Sequence, residues 1–258
     1  MLVAGGSAMG LLDGKVVLVT GGSRNVGAGI ARCMAREGAS VAINYLQDTD
    51  KANALATSIR ESGGTAEVWQ CDVRDPDAVL RMIEDIVKEF GRLDAVINNV
   101  GGGAAGKLDE MTWDDMLHVY EHDVRPLLNT TKAVVPFMKA QGGGRIVNIM
   151  SEQWNEGYGG VAANVSGKGA EVGLSRCLAH ELGPDGITVN MVSPGWTRTD
   201  RTPEDANESP YAKGTPLRRI AEPEDIGNAC VFLISDLASY ISGAFIPVNG
   251  GRTRQVGS

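Results

Sequence analysis

The sequence has no long hydrophobic run. Its longest apolar stretches, such as Val16 to Val19 and Cys230 to Ile234, stop far short of the ~18 residues a membrane span needs, which excludes a transmembrane role. A basic excess is lacking too. Lys and Arg number 24 against 32 Asp and Glu, a net charge of −8, and no basic run could release counterions from a phosphate backbone. Neither nucleic acid nor membrane is expected as a partner. Cysteine is scarce, four in 258 residues. Cys33, Cys71, Cys177 and Cys230 each sit alone within an apolar segment, which predicts buried thiols and no disulfide framework. The first ten residues carry neither a basic n-region nor a sustained apolar h-region. That predicts no secretory leader, a flexible tail over residues 1–11 and a cytoplasmic protein.

What is plentiful is glycine, 34 of 258 residues, roughly twice the usual ~7%, with no triplet period. Such glycine serves turns and close backbone approaches. Short β-branched runs alternate with helical patterns along nearly the whole chain. The runs are Val16 to Thr20, Ser40 to Tyr45, Ala66 to Cys71, Ala95 to Asn98, Arg145 to Met150, Ile187 to Val192 and Ala244 to Val248. Being continuously apolar, they suit parallel strands covered on both faces. Helical spacing marks Val26 to Glu37, Pro76 to Phe90, Trp113 to Lys139, Val165 to Leu182 and Pro223 to Ser235. The expected fold over residues 12–258 is a single α/β domain, a Rossmann-like doubly wound parallel sheet flanked by helices. Asp200 to Thr215 breaks the alternation and reads as a lid over a substrate site.

Ligands of such sheets bind at the carboxyl ends of the strands. The first strand runs into Thr20-Gly21-Gly22-Ser23-Arg24-Asn25-Val26-Gly27 and then a helix, so backbone N–H groups and a positive helix end converge where a pyrophosphate would sit. Gly21 permits the tight turn and Gly27 the close helix-to-strand approach. Asn25 stands where another glycine is expected, asparagine being the next most tolerant of positive φ. The second strand, ending Asn44-Tyr45, offers no acid for a ribose diol, while Arg24 can pair with a 2′-phosphate. Together these favour NADP over NAD.

The chain is similar to the short-chain dehydrogenase/reductase family, above all to its 3-oxoacyl-acyl-carrier-protein reductases, over about residues 12 to 253. The resemblance rests on the glycine-rich loop, Asp72-Val73, Asn98-Asn99-Val100-Gly101 and Gly144 to Ser151. Further along it rests on Ile187 to Asn190 before Pro194-Gly195, Pro223 to Ile226, and Val248 to Gly251. It implies that Gly21, Ser23, Arg24, Asn25, Val26, Gly27, Asn44, Asp72, Val73, Asn99, Gly101, Lys168, Gly195 and Thr197 serve the dinucleotide. It also implies a small carbonyl or acyl substrate and a homotetramer, with a hetero-oligomer as the alternative. The family's catalytic set is Asn, Ser, Tyr and Lys. Ser151 and Lys168 match it, but the tyrosine position, four residues before Lys168, is Asn164, and the asparagine position is Asp123.

A carboxamide is no practical acid, and loss of a positioned general acid costs ~10²–10⁴ in rate. Ser151 and the amide of Asn164 can still stabilise an oxyanion. A displaced donor is sought in the loop after Ser151, where Tyr158, Glu152 and Glu156 are the candidates, and Asp123 is expected to pair with Lys168. His118 and His122 lie four apart on one helix, but without a third ligand no metal site is expected. Three readings stay open: an NADP-dependent carbonyl or 3-oxoacyl reductase, a non-redox lyase, isomerase or cyclase that keeps the dinucleotide, and a catalytically silent partner subunit.

Overall fold

The computed structural model describes residues 10–252. Residues 1–9 of the tail expected over residues 1–11, and the last six residues, lie outside them; Gly10 and Leu11 belong to a turn in which Asp13 Oδ2 accepts the Gly10 N–H at 3.0 Å. Seven strands follow in chain order: β1 (Val16–Val19), β2 (Ser40–Tyr45), β3 (Thr65–Gln70), β4 (Ala95–Asn98), β5 (Gly144–Ile149), β6 (Ile187–Pro194) and β7 (Phe245–Val248). They form one parallel sheet in the order β3-β2-β1-β4-β5-β6-β7, with Val17 opposite Val41 on one side and Ala95 on the other. The direction of winding reverses between β1 and β4, so a crevice opens at their carboxyl ends.

Alternate residues of the inner strands feed two cores. Val17, Val19, Val41 and Ile43 pack with α1 (Asn25–Arg36), α2 (Thr49–Glu61) and α9 (Pro223–Ile234). Val16, Leu18 and Ala42 pack on the other face with α3 (Pro76–Phe90), α5 (Arg125–Ala140) and the end of α7 (Ala162–Leu182). This is why the strands read as unbroken apolar runs. Helices α1 and α9 meet through glycine: a Cβ on Gly29 would lie 2.3 Å from Pro223 Cβ, and one on Gly227 2.6 Å from Cys33 Sγ.

Two expectations change. Trp113 to Lys139 is not one helix. It is α4 (Trp113–Val119), a π-turn over Tyr120–Val124 and α5, the extra residue of the i→i+5 turn rotating Asp123 into the interior. Cys177 is exposed, whereas Cys33, Cys71 and Cys230 are buried as expected. Cys177 falls on the solvent side of α7, whose glycines and alanines blur the apolar stripe.

Candidate active site

The loop after β1 takes the form its glycines predicted. Gly21 has φ 58° and Asn25 φ 49°, so Asn25 does hold the left-handed conformation at the position where glycine was expected. A Cβ on Gly27 would sit 2.2 Å from the Gly21 carbonyl oxygen, which confines that position to glycine. No side chain caps the N-terminus of α1. By contrast, Asp75 caps α3 and Thr112 caps α4. The first N–H groups of α1 are therefore left for an anion. They face a cleft of about 430 Å³ lined by Gly21, Ser23, Arg24, Asn25, Val26, Gly27, Asp48, Asn99 and Gly101. This cradle fits a dinucleotide.

Other residues assigned to the dinucleotide are tied into the surrounding backbone. Asn44 is buried, accepting the Gly21 N–H at 3.1 Å and donating to the Cys71 carbonyl at 3.0 Å. Its side chain fixes the loop from within the sheet. Asn99 donates to the carbonyls of Thr20 and Gly21 at 3.0 and 3.2 Å. Asp72 is gripped by Arg74, whose Nη2 donates to Oδ2 at 2.6 Å, and this hydrogen bonding lowers its carboxyl below the usual range. Val73 is buried beside it. Gly195 is held by the sheet, its N–H donating to Val248 at 3.0 Å, and Thr197 Oγ1 donates back to the Gly195 carbonyl at 2.9 Å. Arg24 is not alone: Asp48, three residues beyond β2, lies 3.6 Å from Nη1.

At the neighbouring strand ends the structure brings together Ser151, Asn164, Lys168 and Asp123. Ser151 Oγ accepts the Gln153 N–H at 3.3 Å. Gln153 in turn accepts from Asn164 Nδ2 at 2.5 Å, and Asn164 faces Gly103 of the loop after β4. Asn164 and Lys168 are one turn apart and share a face of α7. The expected ion pair is present, with Lys168 Nζ 3.1 Å from Asp123 Oδ2, while Asp123 Oδ1 accepts the Gly102 N–H at 2.5 Å. A second carboxylate is unforeseen: Glu171 Oε2 lies 2.9 Å from the same Nζ. Burial works to lower the Lys168 pKa, but the two carboxylates outweigh it and raise it.

Tyr158 is exposed in the turn after α6 (Gln153–Glu156), and no described hydrogen bond ties it to Ser151, Asn164 or Lys168. The structure does not bring its phenol together with them. Glu152 and Glu156 turn inward instead. The Glu152 carboxylate accepts from the hydroxyl of Tyr211 on α8 (Pro210–Gly214), and that oxygen accepts the Trp196 N–H at 2.9 Å. Burial raises the Glu152 carboxyl and the Tyr211 phenol alike. Arg252 lies 4.0 Å over the Tyr211 ring and 3.3 Å from Glu156. The stretch read as a lid is thus partly helical and bolted to the loop behind Ser151. At its other end the Asp200 N–H donates to Asn25 Oδ1 at 2.9 Å. His118 and His122 stack at 4.0 Å, and Arg74 donates to His122 Nε2 at 2.8 Å.

The family model described as enoyl-(acyl carrier protein) reductase matches residues 21–253. A 3-oxoacyl-[acyl-carrier-protein] reductase of Staphylococcus epidermidis is 37% identical over 242 residues, covering 92% of this chain and 98% of that protein. A hydroxynaphthalene reductase of Aspergillus fumigatus is 35% identical, covering 91% and 90%. Among solved structures, a 7α-hydroxysteroid dehydrogenase complexed with NADH and 7-oxo glycochenodeoxycholic acid superposes with a TM-score of 0.88 at 32% identity, over 98% of this chain and 100% of that one. A short-chain dehydrogenase/reductase from Serratia marcescens gives 0.86 at 34%, over 93% and 98%. Among the described residues no helix is long and apolar enough to cross a membrane.

Proposed function

The chain belongs to the short-chain dehydrogenase/reductase family, and from that premise we propose that it is an NADP(H)-dependent reductase of a small ketone or 3-oxoacyl substrate, working without the family tyrosine. The observation that carries this reading is the uncapped N-terminus of α1, opening on the cleft beside Arg24. Bound NADPH supplies the hydride. Backbone groups of Gly21, Ser23, Val26 and Gly27 receive the pyrophosphate, Arg24 the 2′-phosphate, and Asp72, Val73, Asn99, Gly101, Gly195 and Thr197 complete the contacts. Asp48 does not defeat this assignment. The Arg24–Asp48 pair is half exposed on both sides, such pairs are worth only about 0–1 kcal/mol, and a phosphate dianion is the stronger acceptor.

Ser151 and Asn164 are the groups that hydrogen-bond the carbonyl oxygen as negative charge develops on it. Asp123 keeps Lys168 charged at their side. The printed names of the relatives, a 3-oxoacyl reductase and a hydroxynaphthalene reductase, support a carbonyl substrate. In this reading the protein works in the cytoplasm as a homotetramer, the usual assembly of the family.

The test is Asn164→Tyr, which puts a phenol one turn before Lys168. NADPH oxidation with a panel of ketones and β-ketoacyl thioesters is expected to rise by ~10²–10⁴ over the unaltered protein, with NADPH affinity little changed. If neither protein oxidises NADPH with any of them while both bind it, the reductase reading gives way to a non-redox or silent role.

A further inference from the structure

We propose that Glu171 is the proton store of this active site, holding the proton that reaches the substrate oxygen by way of Lys168 and so supplying what the missing tyrosine would have given. The proposal rests on the reductase reading above. Its ground is the composition of a buried cluster: one ammonium, Lys168, between two carboxylates, Asp123 at 3.1 Å and Glu171 at 2.9 Å, with side-chain exposures of 9%, 1% and 3%. Two carboxylates removed from water cannot both ionise cheaply beside a single cation. One of them keeps a proton.

The hydrogen bonds decide which. Asp123 Oδ1 receives the Gly102 N–H at 2.5 Å while its Oδ2 faces the ammonium, so both of its oxygens already meet a donor. Among the described residues no N–H of the backbone reaches the Glu171 carboxylate. The titratable groups that face it are Lys168 on its own helix and Asp123 from the π-turn, and the neighbouring Ser175 of α7 spends its hydroxyl hydrogen on the Glu171 carbonyl at 2.7 Å. Burial pushes the Glu171 carboxyl up to about 7. Near neutrality the cluster therefore sets a cationic Lys168 beside a Glu171 still able to give its proton.

Access to the substrate side is through Gly101. A Cβ there would lie 3.4 Å from Nζ and 3.3 Å from Asp123 Oδ1, so the loop after β4 passes directly over the lysine head and glycine is what keeps a side chain out of the space between them. In the step, the carbonyl carbon gains the hydride and its π electrons move to oxygen. That oxygen forms an O–H bond with a proton of Nζ, the N–H bond breaks, and Glu171 gives its own proton back to Nζ. The substrate ends as an alcohol, the nicotinamide is oxidised, Lys168 is again an ammonium, and Glu171 is a carboxylate that solvent must reprotonate. Glu171 thus touches neither substrate nor cofactor and acts as a positioning residue through the lysine.

The sign of the pH dependence follows. Reduction is supported while Glu171 is protonated, so kcat is expected to fall as pH rises through about 7. The variant Glu171→Gln keeps the shape and removes the titration. It is expected to lower kcat by ~10²–10⁴, abolish the falling limb and leave the NADPH dissociation constant within about twofold. An active Glu171→Gln protein with the same kcat and the same pH profile would overturn the proposal and leave the reductase reading intact. A wild-type protein that binds NADPH and turns over no carbonyl overturns both. A second measurement needs no variant to fold: carbon-13 NMR of carboxyl-labelled glutamate in the intact protein should show a glutamate carboxyl titrating near neutrality. If every glutamate titrates in the ordinary carboxylate range, the store does not exist.

Discussion

Replacing Arg24 with alanine removes the one guanidinium of the cofactor loop and leaves Asp48 facing the ribose alone. A charge-assisted hydrogen bond to phosphate contributes about 1.5–3 kcal/mol, so Arg24→Ala is expected to cut the preference for NADPH over NADH by about 10- to 100-fold. Equilibrium titration with both nucleotides checks it, and an unchanged ratio would assign the 2′-phosphate elsewhere. At this scale the sequence was legible where a motif constrains the backbone: Gly21, Asn25 and Gly27 hold the conformations their residue types implied. It was less legible where roles depend on which way a side chain turns. Asn44 faces into the sheet edge and not into the cleft. Glu171 carried a usable signal, since an acid three residues after a lysine on a helix is a neighbour by geometry. Tyr211 carried none, because its partner Glu152 is 59 residues away.

Among the elements, the pairing of α1 with α9 bears most directly on the cofactor site, since α1 carries the cradle at its first turn. Gly227→Ala would press a methyl group to 2.6 Å from Cys33 Sγ, and overpacking of this kind costs about 1–3 kcal/mol. The expected result is a lower midpoint in urea with an unchanged slope; no loss of stability would mean that the two helices slide apart without penalty. Element boundaries read from periodicity agree within a few residues where a helix has one clear apolar face, as in α3. Between α4 and α5 the apolar spacing continues through the π-turn, so the break is invisible in the pattern although it is what buries Asp123. Helix α2 went unrecognised because half of its buried face is alanine, leaving only Leu55 and Ile59 as large apolar markers.

For the whole molecule, stability should respond to pH through two groups of carboxylates with opposite sign. Glu171 has a folded value of about 7 against an ordinary 4.5, so the native state holds a proton that the unfolded chain has released between those values. Its contribution is full below about 4.5 and is lost as pH rises to about 7, a difference of about 3 kcal/mol. Burial moves Glu152 in the same direction. Asp72 and Asp225, lowered by guanidinium hydrogen bonds, stabilise above the ordinary aspartate range and lose that effect as pH falls below it. Thermal melting of the wild type is therefore expected to peak in mildly acid solution. Glu171→Gln should gain on the wild type steadily between pH ~4.5 and ~7; parallel curves would contradict the burial of that charge. The doubly wound parallel sheet was legible from alternation, since right-handed crossovers leave few other topologies, but the strand order was not, because alternation alone is compatible with more than one doubly wound order.

The bare first turn of α1 also has a consequence in mass action. A helix end with nothing to satisfy its N–H groups is a place where a ligand adds to folding free energy as well as to function, and the gain grows with the logarithm of ligand concentration, reaching about 2.7 kcal/mol at a hundred times the dissociation constant. The fraction of chains folded would then follow the supply of whatever anion that end binds, so a rich supply would mean more of this protein and not merely a busier one.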